Sequence, residues 1–108
     1  MVIRNRIMRI IVFFDLPVVT SSERKAYANF RKFLIREGFL MMQYSVYSKL
    51  ALNMTGVELL KKRLHKNLPP QGMVQVLVVT EKQFAGIEDF LGHSASNQLD
   101  TTDRLVIF

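Results

Sequence analysis

The 108-residue sequence contains no cysteine, which excludes disulfides, thiolate catalysis and cysteine-based zinc sites together and suits a reducing cytosol. No apolar run approaches the roughly 18 residues that a membrane-spanning helix requires. Arg4, Arg6 and Arg9 ahead of Ile10–Phe14 imitate the start of a signal peptide. That uncharged run is too short, however, and ends in Asp15-Leu16-Pro17 with no small-residue cleavage site. The expectation is a soluble, cytoplasmic chain. Internal repeats, low-complexity tracts and a glycine-rich phosphate loop are also missing. Of the two histidines, His65 falls in a basic stretch and His93 in a polar one. Neither stands at a readable spacing from Ser22, Ser45 or Ser48, so a nucleophilic triad finds no support.

Acids are scarce as well. Nine Asp and Glu stand against fifteen Lys and Arg, for a net charge of +6, and the sequence pI is about 10.0. Such a balance favours a polyanionic partner, because each phosphate that a cation neutralises releases condensed counterions. The plain alternative is ordinary solubility charge, and placement decides between them. Meanwhile 49% of the chain is apolar, too much for disorder and enough, at this length, for a single core.

The apolar residues are organised around Arg6–Pro17, which reads as one long strand with apolar side chains on both faces. Ile7, Arg9, Ile11, Phe13 and Asp15 point one way, and Met8, Ile10, Val12, Phe14 and Leu16 the other. Thr20-Ser-Ser-Glu23 fits a capping box and predicts a helix to about Glu37, stopped by Gly38. Its apolar stripe is Ala26, Tyr27, Phe30, Phe33 and Leu34. Phe39–Leu52 is strand-like again and long for one strand, so a bend near Gln43–Ser45 into two short strands is the alternative. A second helix begins at a cap on Asn53 or Thr55, carries Val57, Leu60, Leu64 and Leu68 as its stripe, and ends before Pro69-Pro70. Met73–Thr80 is apolar on both faces apart from Gln75, and is expected beside the first strand in the sheet centre. Glu81–Leu91 has helical spacing, residues 92–103 are polar, and Arg104–Phe108 has strong strand preference.

The order β-α-β(β)-α-β is the split βαβ pattern of an α+β, ferredoxin-like sandwich. It predicts a ferredoxin-like domain over residues 1–80 and a C-terminal appendage of helix, loop and extra strand over 81–108. Two helices cover one sheet face in that fold. The doubly apolar strands imply a cover for the other, and a homodimer packed sheet to sheet is the simplest closure.

Asp15 is the one acid in these strands and points to the face assigned to the dimer. A strand-end Asp ordinarily caps a turn or pairs with an arginine. A two-fold axis near it would instead bring two carboxylates together, which repel unless a cation or a shared proton intervenes. Mg²⁺ suits one or two carboxylates with water and phosphate oxygens. Candidate phosphate contacts are Arg24, Lys25, Arg31, Lys32 and Arg36 on the first helix and Lys61, Lys62, Arg63 and Lys66 on the second. Few acids compensate them, which favours phosphate contact without base reading. The strands lack the Gly-Phe signature of an RNA-recognition sheet.

Together Phe14-Asp15-Leu16-Pro17, Glu23-Arg24-Lys25, Gly38-Phe39 and Gln43-Tyr-Ser-Val-Tyr47 resemble the CRISPR-associated protein two family. Val79–Phe84 and Arg104–Phe108 look like its subgroup from type II systems, and the likeness covers essentially the whole chain. The resemblance implies a ferredoxin-like homodimer in spacer acquisition, set between two dimers of the CRISPR integrase and holding duplex prespacer DNA. It also implies a Mg²⁺-dependent endonuclease on single-stranded RNA or double-stranded DNA, with Asp15 as catalytic and metal residue and Arg24 as the helix-start arginine. Tyr47 stands where the family more commonly has Phe. A non-catalytic scaffold and a small-ligand regulatory dimer are the competing readings of the same residues.

Overall fold

The computed structural model describes residues 6–92 of the chain. Within them the elements run β1 (Met8–Asp15), α1 (Ser21–Arg36), β2 (Leu40–Gln43), β3 (Val46–Ala51), α2 (Met54–Lys66), β4 (Met73–Thr80) and α3 (Glu81–Phe84). The four strands form one antiparallel sheet in the order β2-β3-β1-β4. With α1 and α2 packed on one face, this is the ferredoxin-like arrangement that the pattern predicts. The expected strand at Arg104–Phe108 lies outside the described residues, as does His93. No described helix is long and apolar enough to cross a membrane.

The core forms where one side of β1 meets the helices. Ile10, Val12, Phe14 and Leu16 alternate inward and cluster with Phe30, Phe33, Leu34, Phe39, Tyr47, Leu60 and Leu64. Phe14 is its aromatic centre. Its ring meets Phe30 edge-on with centroids 5.2 Å apart, and lies 5.8 Å from Tyr27 and 5.7 Å from Tyr47. Burying each such side chain contributes about 1.5–3 kcal/mol.

Caps set the helix ends. The Thr20 hydroxyl accepts from the Glu23 N–H at 3.1 Å, and the Glu23 carboxylate accepts from the Thr20 N–H at 2.9 Å. At the far end Gly38 takes φ +94°, a conformation that costs little without a Cβ. The Gly38 N–H then bonds the Ile35 carbonyl and the Phe39 N–H the Leu34 carbonyl, a Schellman closure that seats Phe39 in the core. For α2 the cap is Asn53, whose side chain accepts from the Gly56 N–H at 2.9 Å.

Some expectations require correction. β4 does lie beside β1 over all eight residues, but at the edge of the four described strands rather than in the centre. The short amphipathic helix expected over Glu81–Leu91 is present only as a single turn, Glu81–Phe84. Thr80 and Gln83 form its capping box, and after Ala85-Gly86 the residues Ile87, Phe90 and Leu91 are exposed, so no core contact supports another turn. Leu68 leaves the apolar stripe of α2, because the helix ends at Lys66 and Leu68 is exposed. Phe39–Leu52, by contrast, takes the expected two-strand alternative, a β2–β3 hairpin turned at Tyr44-Ser45, with a register shift between Met41 and Gln43. Ser45 takes the positive φ (+65°) on which that turn depends.

Candidate functional site

Register fixes what shares the sheet face opposite α1 and α2. Along β1 this face carries Arg9, Ile11, Phe13 and Asp15. Their partners are Leu50, Ser48 and Val46 on β3, and Val79, Leu77, Gln75 and Met73 on β4. Leu40, Leu50, Met73 and Leu77 are exposed there while Ile11 and Ser48 at its middle are buried, so among the described residues the face is largely apolar and only partly covered.

Its two ends differ. At the Arg9 end, α3 folds over the sheet. The Arg9 guanidinium donates twice to Glu81, Nε to Oε1 at 2.8 Å and Nη2 to Oε2 at 2.6 Å. It also stacks on the Phe84 ring, 4.3 Å from the centroid. The pattern of two long helices on one face gives no hint of this cover.

The Asp15 end stays open. Asp15 is exposed, and the ion pairs among the described residues, Arg9–Glu81, Lys61–Glu58 and Arg63–Glu37, do not involve it. The turn-capping or arginine-paired role is thus not what the described residues show. The backbone of Asp15 is held from behind by Gly72, at φ +100°. A Cβ there would lie 2.6 Å from the Asp15 carbonyl oxygen and 2.8 Å from Leu16 Cδ2. Among the described residues no three His, Asp or Glu side chains gather as a metal site. Among the described residues of β1–β4, Asp15 is the one carboxylate on this face, a single hard oxygen donor for a metal.

The nine basic candidates fall into three sets by what they touch. Lys61 and Arg63 are paired with carboxylates, to Glu58 at 3.4 Å and to Glu37 at 2.8 Å. Arg24 and Arg31 are held by neutral oxygens. Arg24 Nη1 donates to the Val18 and Val19 carbonyls at 3.2 and 2.7 Å, and Arg31 Nε donates to Tyr47 Oη at 2.9 Å. Lys25, Lys32, Arg36, Lys62 and Lys66 are exposed and outside every ion pair among the described residues. Lys32 and Arg36 also line a groove of about 320 Å³ between α1 and the Asn67–Pro70 segment. All nine sit on α1 and α2, which pack on the sheet face other than the one that carries Asp15. His65 is exposed on α2.

Three residues with clear positional roles escape a reading of the sequence by motif. Gly72 resembles any turn glycine until its contact with Asp15 is seen. Glu81 and Tyr47 become partners of Arg9 and Arg31 only through pairings made far along the chain. The hydroxyl of Tyr47, on the β3 face that also carries Lys49 and Ala51, is the one local signal among them, since a buried phenol needs a partner.

Comparison with known proteins agrees with this layout. The family model described as "CRISPR associated protein Cas2" matches residues 8–87. A "CRISPR-associated endoribonuclease Cas2" of Treponema denticola is 54% identical over 100 residues, covering 93% of this chain and 99% of that one. Relatives of the same description in Ligilactobacillus salivarius and Streptococcus mutans are 45% and 48% identical, covering 93% and 92% of this chain and 99% and 91% of theirs. With a ferredoxin-like sheet, an open acid at the end of its first strand and this similarity along nearly its whole length, the chain belongs to the CRISPR-associated protein Cas2 family.

Proposed function

We propose that the protein acts in the cytoplasm in CRISPR adaptation as a homodimer, packed through the open sheet face, that holds duplex prespacer DNA between two dimers of the integrase. We also propose a Mg²⁺-dependent endonuclease centred on the two Asp15 side chains of that dimer. Single-stranded RNA is the first substrate class, since the relatives are named endoribonucleases, and double-stranded DNA the second.

The carrying observation is that Asp15 is exposed on the same face as exposed Leu40, Leu50, Met73 and Leu77. An apolar face of this kind on a small chain favours association. Because α3 occupies the Arg9 end, the free surface is displaced toward Asp15, and a symmetric copy would meet it there. Each chain would contribute one carboxylate to the metal, leaving most of the coordination shell to water and substrate phosphate. When bound, the ion would polarise the phosphodiester and lower the pKa of a water. The basic residues lie on α1 and α2, which pack on the sheet face other than the proposed interface, and this leaves them for duplex DNA and fits the scaffold role.

The test is an Asp15→Ala variant measured three ways, by sedimentation, by Mg²⁺-dependent cleavage of RNA and DNA, and by integration with the integrase. The expected result is a dimer that integrates spacers but no longer cleaves. Undiminished cleavage by Asp15→Ala would remove Asp15 from the chemistry. A monomeric wild-type protein would remove the paired site.

A scaffold without catalysis is the second reading, favoured by the absence of any three-residue acid or histidine cluster among the described residues. Wild-type protein with no Mg²⁺-dependent cleavage but normal integration would select it.

A further inference from the structure

Among the basic residues of α1, two guanidiniums stand apart because their partners carry no charge. Arg24 is fixed by the carbonyls of Val18 and Val19, and Arg31 by the phenol of Tyr47. The two lie seven residues apart, hence two helical turns and about 10.5 Å along one face of α1. By contrast Arg9, Lys61 and Arg63 are bonded to carboxylates, which offset their charge before any phosphate arrives.

Tyr47 is an unusual anchor. Its side chain is 2% exposed, packed 5.7 Å from Phe14, and carried on β3, which pairs with the central strand. Its hydroxyl therefore has a fixed position set by the core. Arg31, exposed on α1, spends only Nε on that hydroxyl. The two Nη groups have no hydrogen bond among the described residues, and they form the fork that binds a phosphate in bidentate fashion. An arginine free in solvent must give up about 2 kcal/mol of rotamer entropy to be held in place. Here the folded core supplies most of that ordering beforehand.

We infer that Tyr47 is a positioning residue, whose buried hydroxyl holds the Arg31 guanidinium, fully charged and pre-oriented, as a clamp for one nucleic-acid phosphate. This rests on the nucleic-acid-holding role proposed above, and adds to it a residue that never touches the ligand. Tyr47→Phe deletes one oxygen, keeps the aromatic packing and leaves every charge in place. A hydroxyl that only satisfied the core would change stability and leave phosphate binding alone.

The experiment is a double-mutant cycle on the full chain with Tyr47→Phe, Arg31→Ala and both, binding a short fluorescent duplex DNA across a range of KCl. Tyr47→Phe should weaken binding about 2–10-fold, the range of one lost hydrogen bond, with the slope of log affinity against log salt unchanged. Arg31→Ala should weaken binding more and reduce that slope by about 0.9, one phosphate contact. In the Arg31→Ala background Tyr47→Phe should have no further effect. Wild-type affinity for Tyr47→Phe, or an equal loss in both backgrounds, overturns the positioning role. So does an Arg31→Ala variant with unchanged affinity and slope. A paired charge reversal, Lys32→Glu with Arg36→Glu, separates the two levels of the argument. If it weakens binding while Tyr47→Phe does not, only the positioning role falls. If the wild-type chain shows no salt-dependent binding, the nucleic-acid reading falls with it.

Discussion

Gly72 and Asp15 are in backbone contact, so close that a single methyl group on Gly72 would stand 2.6 Å from the Asp15 carbonyl oxygen. The turn leading into β4 is thus the back support for the strand end that carries the candidate acid. Gly72→Ala combines this clash with a positive φ of +100°. The nearest atom is backbone and not a flexible side-chain tip, so it does not move aside freely. The expected cost is about 2 kcal/mol or more, measured as the urea midpoint. If the proposed cleavage is present, it should fall further than the loss of folded protein explains, because Asp15 shifts with its backbone.

Phe14→Ala should be the most damaging truncation in the chain, at about 3–5 kcal/mol. It removes the ring that touches Tyr27, Phe30 and Tyr47 at once and leaves a void bounded by two layers. Chemical denaturation of the variant checks this. A loss under about 1 kcal/mol would mean that the helices slide to fill the void.

Glu81→Gln should free the Arg9 end of the sheet. It removes the carboxylate from a two-pronged, half-buried pair, with an expected cost of about 1 kcal/mol. Amide exchange should speed up in α3 while the strands keep their protection. Faster exchange along β1 as well would show that α3 supports the sheet and does more than rest on it.

Stability should also carry a signature of Glu23. The Thr20 backbone N–H, first among the causes, holds the Glu23 carboxyl below its ordinary 4.5 against the opposing effect of desolvation, helped by the Val19 N–H, the Thr20 hydroxyl and the nearby Arg24 charge. A depressed carboxylate contributes stability above its ordinary pKa and loses it as pH falls through the lower, folded value. Glu23→Gln keeps the capping geometry but does not titrate. The stability advantage of wild type over this variant should be constant at neutral pH and shrink once the pH drops below 4.5. Thermal melting of both proteins across that range measures it, and a constant difference would contradict the assignment.

Much of the architecture is readable from residue pattern because its determinants are local. Thr20 and Glu23 announce α1 three residues apart, Gly38 closes it, and the alternation of Ile10, Val12 and Phe14 against Ile11 and Phe13 states that β1 is apolar on both sides. Ser45 hides the hairpin, because a serine at positive φ looks like any other serine. The edge position of β4 is invisible for another reason. Val74, Val76 and Val78 read as central whether or not a neighbour lies beyond them, and strand order is decided by pairing across the chain. At the candidate site, Asp15 stands out as an acid on an apolar strand. The sorting of the cations does not, since Glu37 and Glu58 neutralise Arg63 and Lys61 through one contact distant in sequence and one adjacent. Charge counts alone treat all nine basic side chains as equals.

The position of β1 in the sheet also imposes an order of events during synthesis. Of the four described strands, the first to leave the ribosome is one flanked on both sides, and Met8 finds its β4 partner only when Thr80, 72 positions later, has emerged. Helix α1 and the β2–β3 hairpin can form beforehand from neighbours in sequence. The sheet centre must instead wait through the longest loop closure in the described fold, which slows folding and prolongs exposure of apolar residues. Among the described strands β1, apolar on both faces, is therefore the longest without its final neighbour.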